Sequence, residues 1–373
     1  MKIVGLISRL LIGIVFIFSG FVKAIDPLGS KYKFIDYFDA MGLGFMEDFA
    51  LAFAIIMCAA EFLIGVALLL GIWMRFSSWL AVIFMAFFTP LTLWLAVANP
   101  VADCGCFGDA IILTNWETFF KNLIIDVFVV IIFIERKKFP KIFKARMEWA
   151  IVIAFSVLIV GISIHALRHL PIIDFRAWKV GSQMAPEELA APKAYVIYRN
   201  IETEEKEEYP SDNFPWNDSA WMATHEFVDS RVEEPENVEN LLRIEDFYGE
   251  DVSSTLFSKE KSYQFMVVSY YLDEASKKGL DRIVDFYKSL SGLEVEFFII
   301  TGSLSDDIEA FYEKHNIFID TYIADEIVLK TVIRANPGIL LLNQGVILAK
   351  WNYRDLPDYE VIDKEALSEK YIK

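Results

Sequence analysis

Residues 102–109 read Ala102-Asp103-Cys104-Gly105-Cys106-Phe107-Gly108-Asp109 and lie between two apolar runs, roughly 76–98 and 116–134. About 20 apolar residues suffice to cross a bilayer, so each run is a candidate transmembrane helix. The loop therefore places two cysteines, one glycine apart, at a membrane edge. Such a pair serves thiol–disulfide exchange, staples the loop, or binds a metal. All three uses stand open on the residues alone.

Working outward, three more candidate spans appear at roughly 5–25, 48–72 and 147–167. The first has a charged start, Lys2 and Arg9, but no small-x-small cleavage site follows, so it reads as a retained helix rather than a signal peptide. Residues 1–166 carry 13 Lys/Arg and 12 Asp/Glu, out of 35 and 52 in the whole chain, which leaves 22 and 40 for residues 167–373. An oily, nearly neutral half is thus followed by a polar, acidic one. The expected architecture is an all-α four-helix membrane bundle over 1–135, a cytoplasmic basic loop and fifth anchoring helix over 136–170, a linker and β-rich extension over 171–244, and a soluble α/β domain over 245–373. The partners this implies are membrane lipid and an exported protein client. The acidic half lacks the basic face that nucleic-acid binding needs.

Lys and Arg in short loops set orientation. Six cations crowd residues 136–146, between the fourth and fifth spans, and Arg75, Lys2 and Arg9 fall on the same side. Lys23, Lys31 and Lys33 lie opposite and dissent. The expectation is a bacterial inner-membrane protein with a cytoplasmic N-terminus and a periplasmic C-terminal domain. That outer compartment is oxidising and permits a disulfide.

Several polar residues interrupt the apolar runs. Glu61 lies inside the second span, where a charged group costs about 2.5–3.5 kcal/mol on insertion scales. It reads as a proton-handling or quinone-contacting acid, or as a protonated group satisfied by a neighbour. Asp126, in the fourth span, is positioned to share a proton with it or to make an ordinary polar contact. Lys23, Asp103 and Asp109 are further candidates for handling protons. Cys58 is near mid-span and reads as a small buried hydrophobe.

In the cysteine loop, Gly105 supplies backbone freedom and a ring closed across one residue is strained, which favours exchange. The flanking Asp103 and Asp109 are expected to raise a thiolate's pKa. For a metal, His165 and His169 stand four apart at the outer end of the fifth span and share a helix face. With Cys104 and Cys106 they would make a two-Cys, two-His zinc set.

In the acidic half, Ala194–Arg199 and the run beyond Glu207 alternate as a strand pair with a solvated turn from Glu202, while 213–217 and 230–240 read as loops. Beyond 245 the pattern is regular: strand 264–271, helix 277–290, strand 295–301, helix 306–315, strand 321–323, helix 326–333, then a hairpin of 339–342 and 346–351.

Two resemblances rest on these residues. Phe18-Ser19-Gly20-Phe21-Val22-Lys23-Ala24 with Pro27 resembles the opening of DoxX-type membrane proteins, and Glu61 with Leu63, Gly65 and Leu68–Gly71 resembles their second helix. Asp103-Cys104-Gly105-Cys106-Phe107-Gly108 resembles the MauE branch, which is implicated in disulfide formation in periplasmic methylamine dehydrogenase. Over 1–135 this implies a four-helix core with redox coupling to quinone, as in DsbB and vitamin K epoxide reductase proteins. Those use two cysteine pairs, whereas this chain has one. The β-α-β-α-β-β order over about 245–360 resembles a thioredoxin fold, with Pro337 at the cis-proline position that binds a partner. The Cys-x-x-Cys site is replaced by Tyr271-Leu272-Asp273-Glu274-Ala275-Ser276, and no cysteine follows 106. The functional expectation is thiol–disulfide exchange at Cys104 and Cys106, coupled to quinone with help from Glu61. The alternative is a non-catalytic inner-membrane scaffold or assembly factor.

Overall fold

The computed structural model describes residues 2–101, 103–184, 193–201, 203–233, 242–290 and 295–357. Six helices build the N-terminal half: α1 (Lys2–Ile25), α2 (Pro27–Ala40), α3 (Ala50–Leu70), α4 (Met74–Ala98), α5 (Asn115–Glu135) and α6 (Ala145–Arg168). Among the described residues, four helical stretches are long and apolar enough to cross a membrane: Ile3–Ile25, Gly44–Leu70, Met74–Ala98 and Ala145–Arg168. The remaining expected span, the fourth, is α5; it is 21 residues long and packs beside α4 and α1, but carries Glu117, Lys121 and Asp126.

Small residues let α1 and α3 touch backbone to backbone. A Cβ added at Gly20 would lie 2.6 Å from the Phe62 nitrogen, and one at Gly65 would lie 2.6 Å from the Ile17 nitrogen. Close approach of this kind drives helix association in lipid, where apolar burial provides no preference between helix and tail. The order Gly13–Leu69, Gly20–Phe62 makes the two helices antiparallel. The start of α1, the α3–α4 turn and the basic α5–α6 loop therefore share one end: Arg9 lies over the Phe139 ring at 5.3 Å and close to Gly71. The cysteine loop lies at the other end.

The helix α2 was not expected. Asp26 and Pro27, read only as the end of α1, also begin the next helix: the Asp26 carboxylate accepts from the Gly29 nitrogen and Pro27 occupies the first turn. This helix lies across the cysteine end of the bundle and packs on α3.

Residues 169–184, expected as a linker, pack on the following domain. Trp178 and Met184 are buried in its core, and Lys350 donates to Asp174 and to the Trp178 carbonyl, both at 2.8 Å. The β-rich extension has a third strand: β1 (Lys193–Asn200) is flanked by β2 (Lys206–Pro210) and β3 (His225–Glu233), with α7 (Ser219–Thr224) before β3. The stretch expected to be loop at 230–240 is thus strand through Glu233, and its remainder lies outside the described residues, as does Glu202 of the expected turn.

After α8 (Ser253–Leu256), the chain forms β4 (Tyr263–Ser269), α9 (Lys277–Ser289), β5 (Glu296–Thr301), α10 (Ser305–His315), β6 (Asp320–Ile323), α11 (Glu326–Val332), β7 (Gly338–Asn343) and β8 (Val346–Asn352). The sheet order is β6-β5-β4-β7-β8, parallel through β4–β6 and antiparallel at β7 and β8. Alternation along β4 sends Phe265 and Val267 to one face, under α9 and α10, and Met266 and Val268 to the other, over α11 and the 169–184 segment. Such two-sided burial explains the continuous apolar runs. This is the expected thioredoxin-like α/β domain, and the Asn336–Pro337 peptide is cis at the expected place.

Candidate redox site at the junction of bundle and domain

The neck of the cysteine loop is closed by α5. The Asn115 amide donates to the Asn99 side chain at 3.0 Å and to the Val101 carbonyl at 2.8 Å, while Thr114 and Glu117 form a capping box that starts the helix. Gly105 adopts φ +62°, in the left-handed region where a glycine is needed. Its nitrogen donates to Asp103 at 2.7 Å. Tyr37 of α2 donates to the Cys104 carbonyl and Ser19 of α1 donates to the Cys106 carbonyl, the latter at 2.7 Å. Side chains of α1, α2 and α5 thus pin the loop.

This brings the two sulfurs to 3.0 Å, unbonded. Cys104 is buried, between Tyr37 and Leu95, and Cys106 is half-buried. Their thiols are split in opposite directions. Cys106 is lowered, first by its hydrogen bond with Cys104 and then by the nearby Lys121 and Lys23, against the opposing effect of burial. Cys104 is pushed well up, first by that shared hydrogen bond and then by burial. Asp103 and Asp109, expected to raise a thiolate's pKa, are not among the leading influences on Cys106, and both have cationic partners. Asp103 is paired with Lys33 at 2.7 Å and Asp109 with Arg334 at 3.4 Å.

Two cavities meet at Cys106. A small one, about 30 Å³, runs into the bundle between Ser19, Phe84, Lys121 and Asn122. A larger one, about 540 Å³, lies between the bundle and the α/β domain. Its floor is apolar, with Val22, Ile25, Met57, Phe84 and Phe88, and both reach the Lys23–Glu61 pair. The Lys23 ammonium and Glu61 carboxylate are 2.7 Å apart and mostly enclosed. A buried acid at membrane depth is thus met by a buried base. Asp126 does not join them: it accepts from Thr89 at 2.9 Å.

The roof of the large cavity is the α/β domain. Arg334, three residues before Pro337, is 6% exposed and reaches down to Asp26 at 2.9 Å and to Asp109, with its guanidinium over the Tyr32 ring at 5.4 Å. Burial raises the Asp109 carboxyl, an effect that Arg334 opposes. Tyr270, at the end of β4, donates to the Ile333 carbonyl behind this clasp. The end of the domain that holds the cis proline therefore faces the membrane cysteines. Pro337 itself is buried, with the backbone of Gly279 against it, so it offers no open groove of its own. His165 and His169 stack at 4.5 Å, and His169 pairs with Asp355 at 2.6 Å rather than with the cysteines. Among the described residues, no three His, Cys, Asp or Glu side chains are grouped to hold a metal. Cys58 lines the large cavity, but its thiol donates to the Ile55 carbonyl at 3.2 Å.

These features define a membrane protein whose water-exposed α/β domain is seated on a cysteine-bearing bundle end. Residues 1–134 match the model of the family described as Methylamine utilisation protein MauE, so the membrane half is MauE-like. No curated protein matches the chain. Among solved structures, thiol peroxidase from Chromobacterium violaceum aligns over 34% of this chain and 83% of its own, at 17% identity and a TM-score of 0.27.

Proposed function

We propose that the protein is a membrane thiol–disulfide oxidoreductase that passes electrons from an exported dithiol client to a quinone. The observation that carries this is the juxtaposition of Cys104 and Cys106, 3.0 Å apart, at the meeting point of the two cavities. The cysteines are on the outer, periplasmic side of the bacterial inner membrane in this reading, as the clustering of cations at the opposite end supports.

In the oxidised pair, Cys106 is the better leaving group because its thiolate is the more stable. A client thiolate attacks the Cys104 sulfur, the Cys104–Cys106 bond breaks, and Cys106 leaves as thiolate beside the small cavity. The client's second thiol then attacks the mixed disulfide. The client is oxidised and the pair is left as dithiol. When bound, a quinone supplies a two-electron, two-proton acceptor for that dithiol. The apolar floor formed by Val22, Met57, Phe84 and Phe88 suits a ring, and the cavity volume accommodates one. The Lys23–Glu61 pair, at the same floor, holds the proton that must move with the electrons.

Thiol trapping in membranes across a glutathione series tests this. The expected result is a reversible two-electron couple for Cys104–Cys106, whose dithiol form disappears when quinone is added. A pair fixed in one state at every ratio would leave the scaffold reading, which the covered position of the loop favours.

A further inference from the structure

No motif marks Lys121, yet it occupies a distinctive place. It stands on α5, about two turns from the Thr114 cap, and its ammonium lies 4.3 Å from the centre of the Phe107 ring. Phe107 follows Cys106, and Lys121 and Cys106 line the same 30 Å³ cavity.

Two of the other charge sets around Cys106 are ion pairs, while Asp36 and Asp39 of α2 line the large cavity with no ion pair among the described residues. Lys23 from α1 is matched by Glu61 from α3, and Lys33 from α2 is matched by Asp103. Tyr37 from α2 is neutral and bonded to the Cys104 carbonyl. The facing residues of α4, Phe84, Met85 and Phe88, carry no charge. Among the described residues, no carboxylate is ion-paired with Lys121. A matched pair acts at a distance as a dipole, and its two fields largely cancel. An unmatched ammonium acts as a full charge, and its half-buried position limits screening by salt. The aromatic face of Phe107 holds it without neutralising it.

The geometry points to Lys121 as the positioning residue whose unmatched charge biases the shared sulfur–sulfur hydrogen bond, so that Cys106 rather than Cys104 is the thiolate of the pair. This rests on reading the pair as thiol chemistry, and it explains how two cysteines one residue apart acquire different roles. Cys106 becomes the leaving thiolate on the bundle side, and Cys104 keeps its proton under Tyr37.

The test is alkylation of the reduced full-length protein by iodoacetamide as a function of pH, with the modified cysteine assigned by peptide mass spectrometry. Cys106 is expected to react with a half-point below that of a free thiol, and Cys104 to lag throughout. Lys121→Gln and Lys121→Met should raise the Cys106 half-point by about one pH unit, and so slow its reaction about tenfold below that point. Lys121→Arg should restore the wild-type profile. Equal shifts in all three variants would mean that Lys121 only packs on Phe107, and no shift in any would mean that its charge is not felt; either result overturns the proposal. Alkylation needs no turnover, so a moved half-point without client oxidation would refute the oxidoreductase reading and leave this assignment standing.

Discussion

In the bundle, Gly20 admits the Phe62 backbone so closely that a Cβ there would sit 2.6 Å from its nitrogen. In the α/β domain, Leu341 is wholly buried and filled around by Leu280, Phe286 and other apolar side chains. The first half is held by what is missing from its interface, the second by what is crowded into its core. The solvent explains the contrast. Lipid tails reward no helix for burying apolar atoms, so α1 and α3 cohere through backbone proximity. Water expels the apolar strands β4, β5 and β7 into a core covered on both faces.

Breaking each half by the opposite change tests this contrast. Gly20→Leu is expected to have the largest effect, with loss of the assembled bundle and no folded protein recovered from membranes. Gly161→Leu on α6, where an added Cβ meets nothing within 4 Å, should be tolerated. If both fail alike, helix insertion rather than the α1–α3 interface is the sensitive step. Next, Leu341→Ala should cost about 2–5 kcal/mol, from lost burial plus the cavity left behind. The same truncation at Val157, 69% exposed on α6, should be close to neutral. Thermal unfolding in detergent, followed by circular dichroism, reads both.

The clasp between the halves comes next in size. Arg334→Ala strands Asp26 and Asp109, but Asp109 is 40% exposed at its side chain, so water takes up part of the loss. Undocking by about 1.4 kcal/mol corresponds to a tenfold change in the open population. A bulky maleimide should therefore label the reduced cysteines about ten times faster in the variant. An unchanged rate would mean that the domain does not gate access to them.

The sequence made some of this site legible and concealed the rest, for physical reasons. Cys104-Gly105-Cys106 and Glu61 stood out because polar and reactive groups are rare in apolar runs. The β-α-β order and Pro337 were readable because periodicity and turn chemistry are local. The helix α2 was missed although Asp26-Pro27 is a helix-start signal, because the same dipeptide also ends α1. Lys121 and Arg334 were missed for a different reason. Nothing near Lys121 in sequence announces Phe107, and 308 residues separate Arg334 from Asp26. The partners of the flanking acids were hidden on the same ground: Asp103 and Asp109 are next to the cysteines in sequence, but they pair with Lys33 and Arg334. Adjacency along the chain said which charges were near, and only the fold says which are already answered.

The smallest expected effect concerns how the 169–184 segment is fastened to the α/β domain. Lys350 is 4% exposed at its side chain, and burial first, then the neighbouring Arg176, lowers it to about 8 against the opposing pull of Asp174. An unfolded lysine titrates near 10.4. The folded value is the lower one, so the native state holds this proton less tightly than the unfolded state. Below about pH 8 both states are charged, and the native state bears the whole cost of burying the ammonium. Between about 8 and 10.4 the native lysine sheds its proton first, and its contribution to stability rises with pH. The stability difference between wild type and Lys350→Met should therefore shift toward wild type as pH is raised through that window, with each unfolding midpoint taken at matched salt. A difference that stays flat, or moves toward the variant, would mean that the ammonium keeps its proton because Asp174 outweighs burial. The fastening would then be an ion pair, of the kind that joins Arg334 to Asp26, and the contrast between a crowded α/β core and a polar seam would extend into the domain itself.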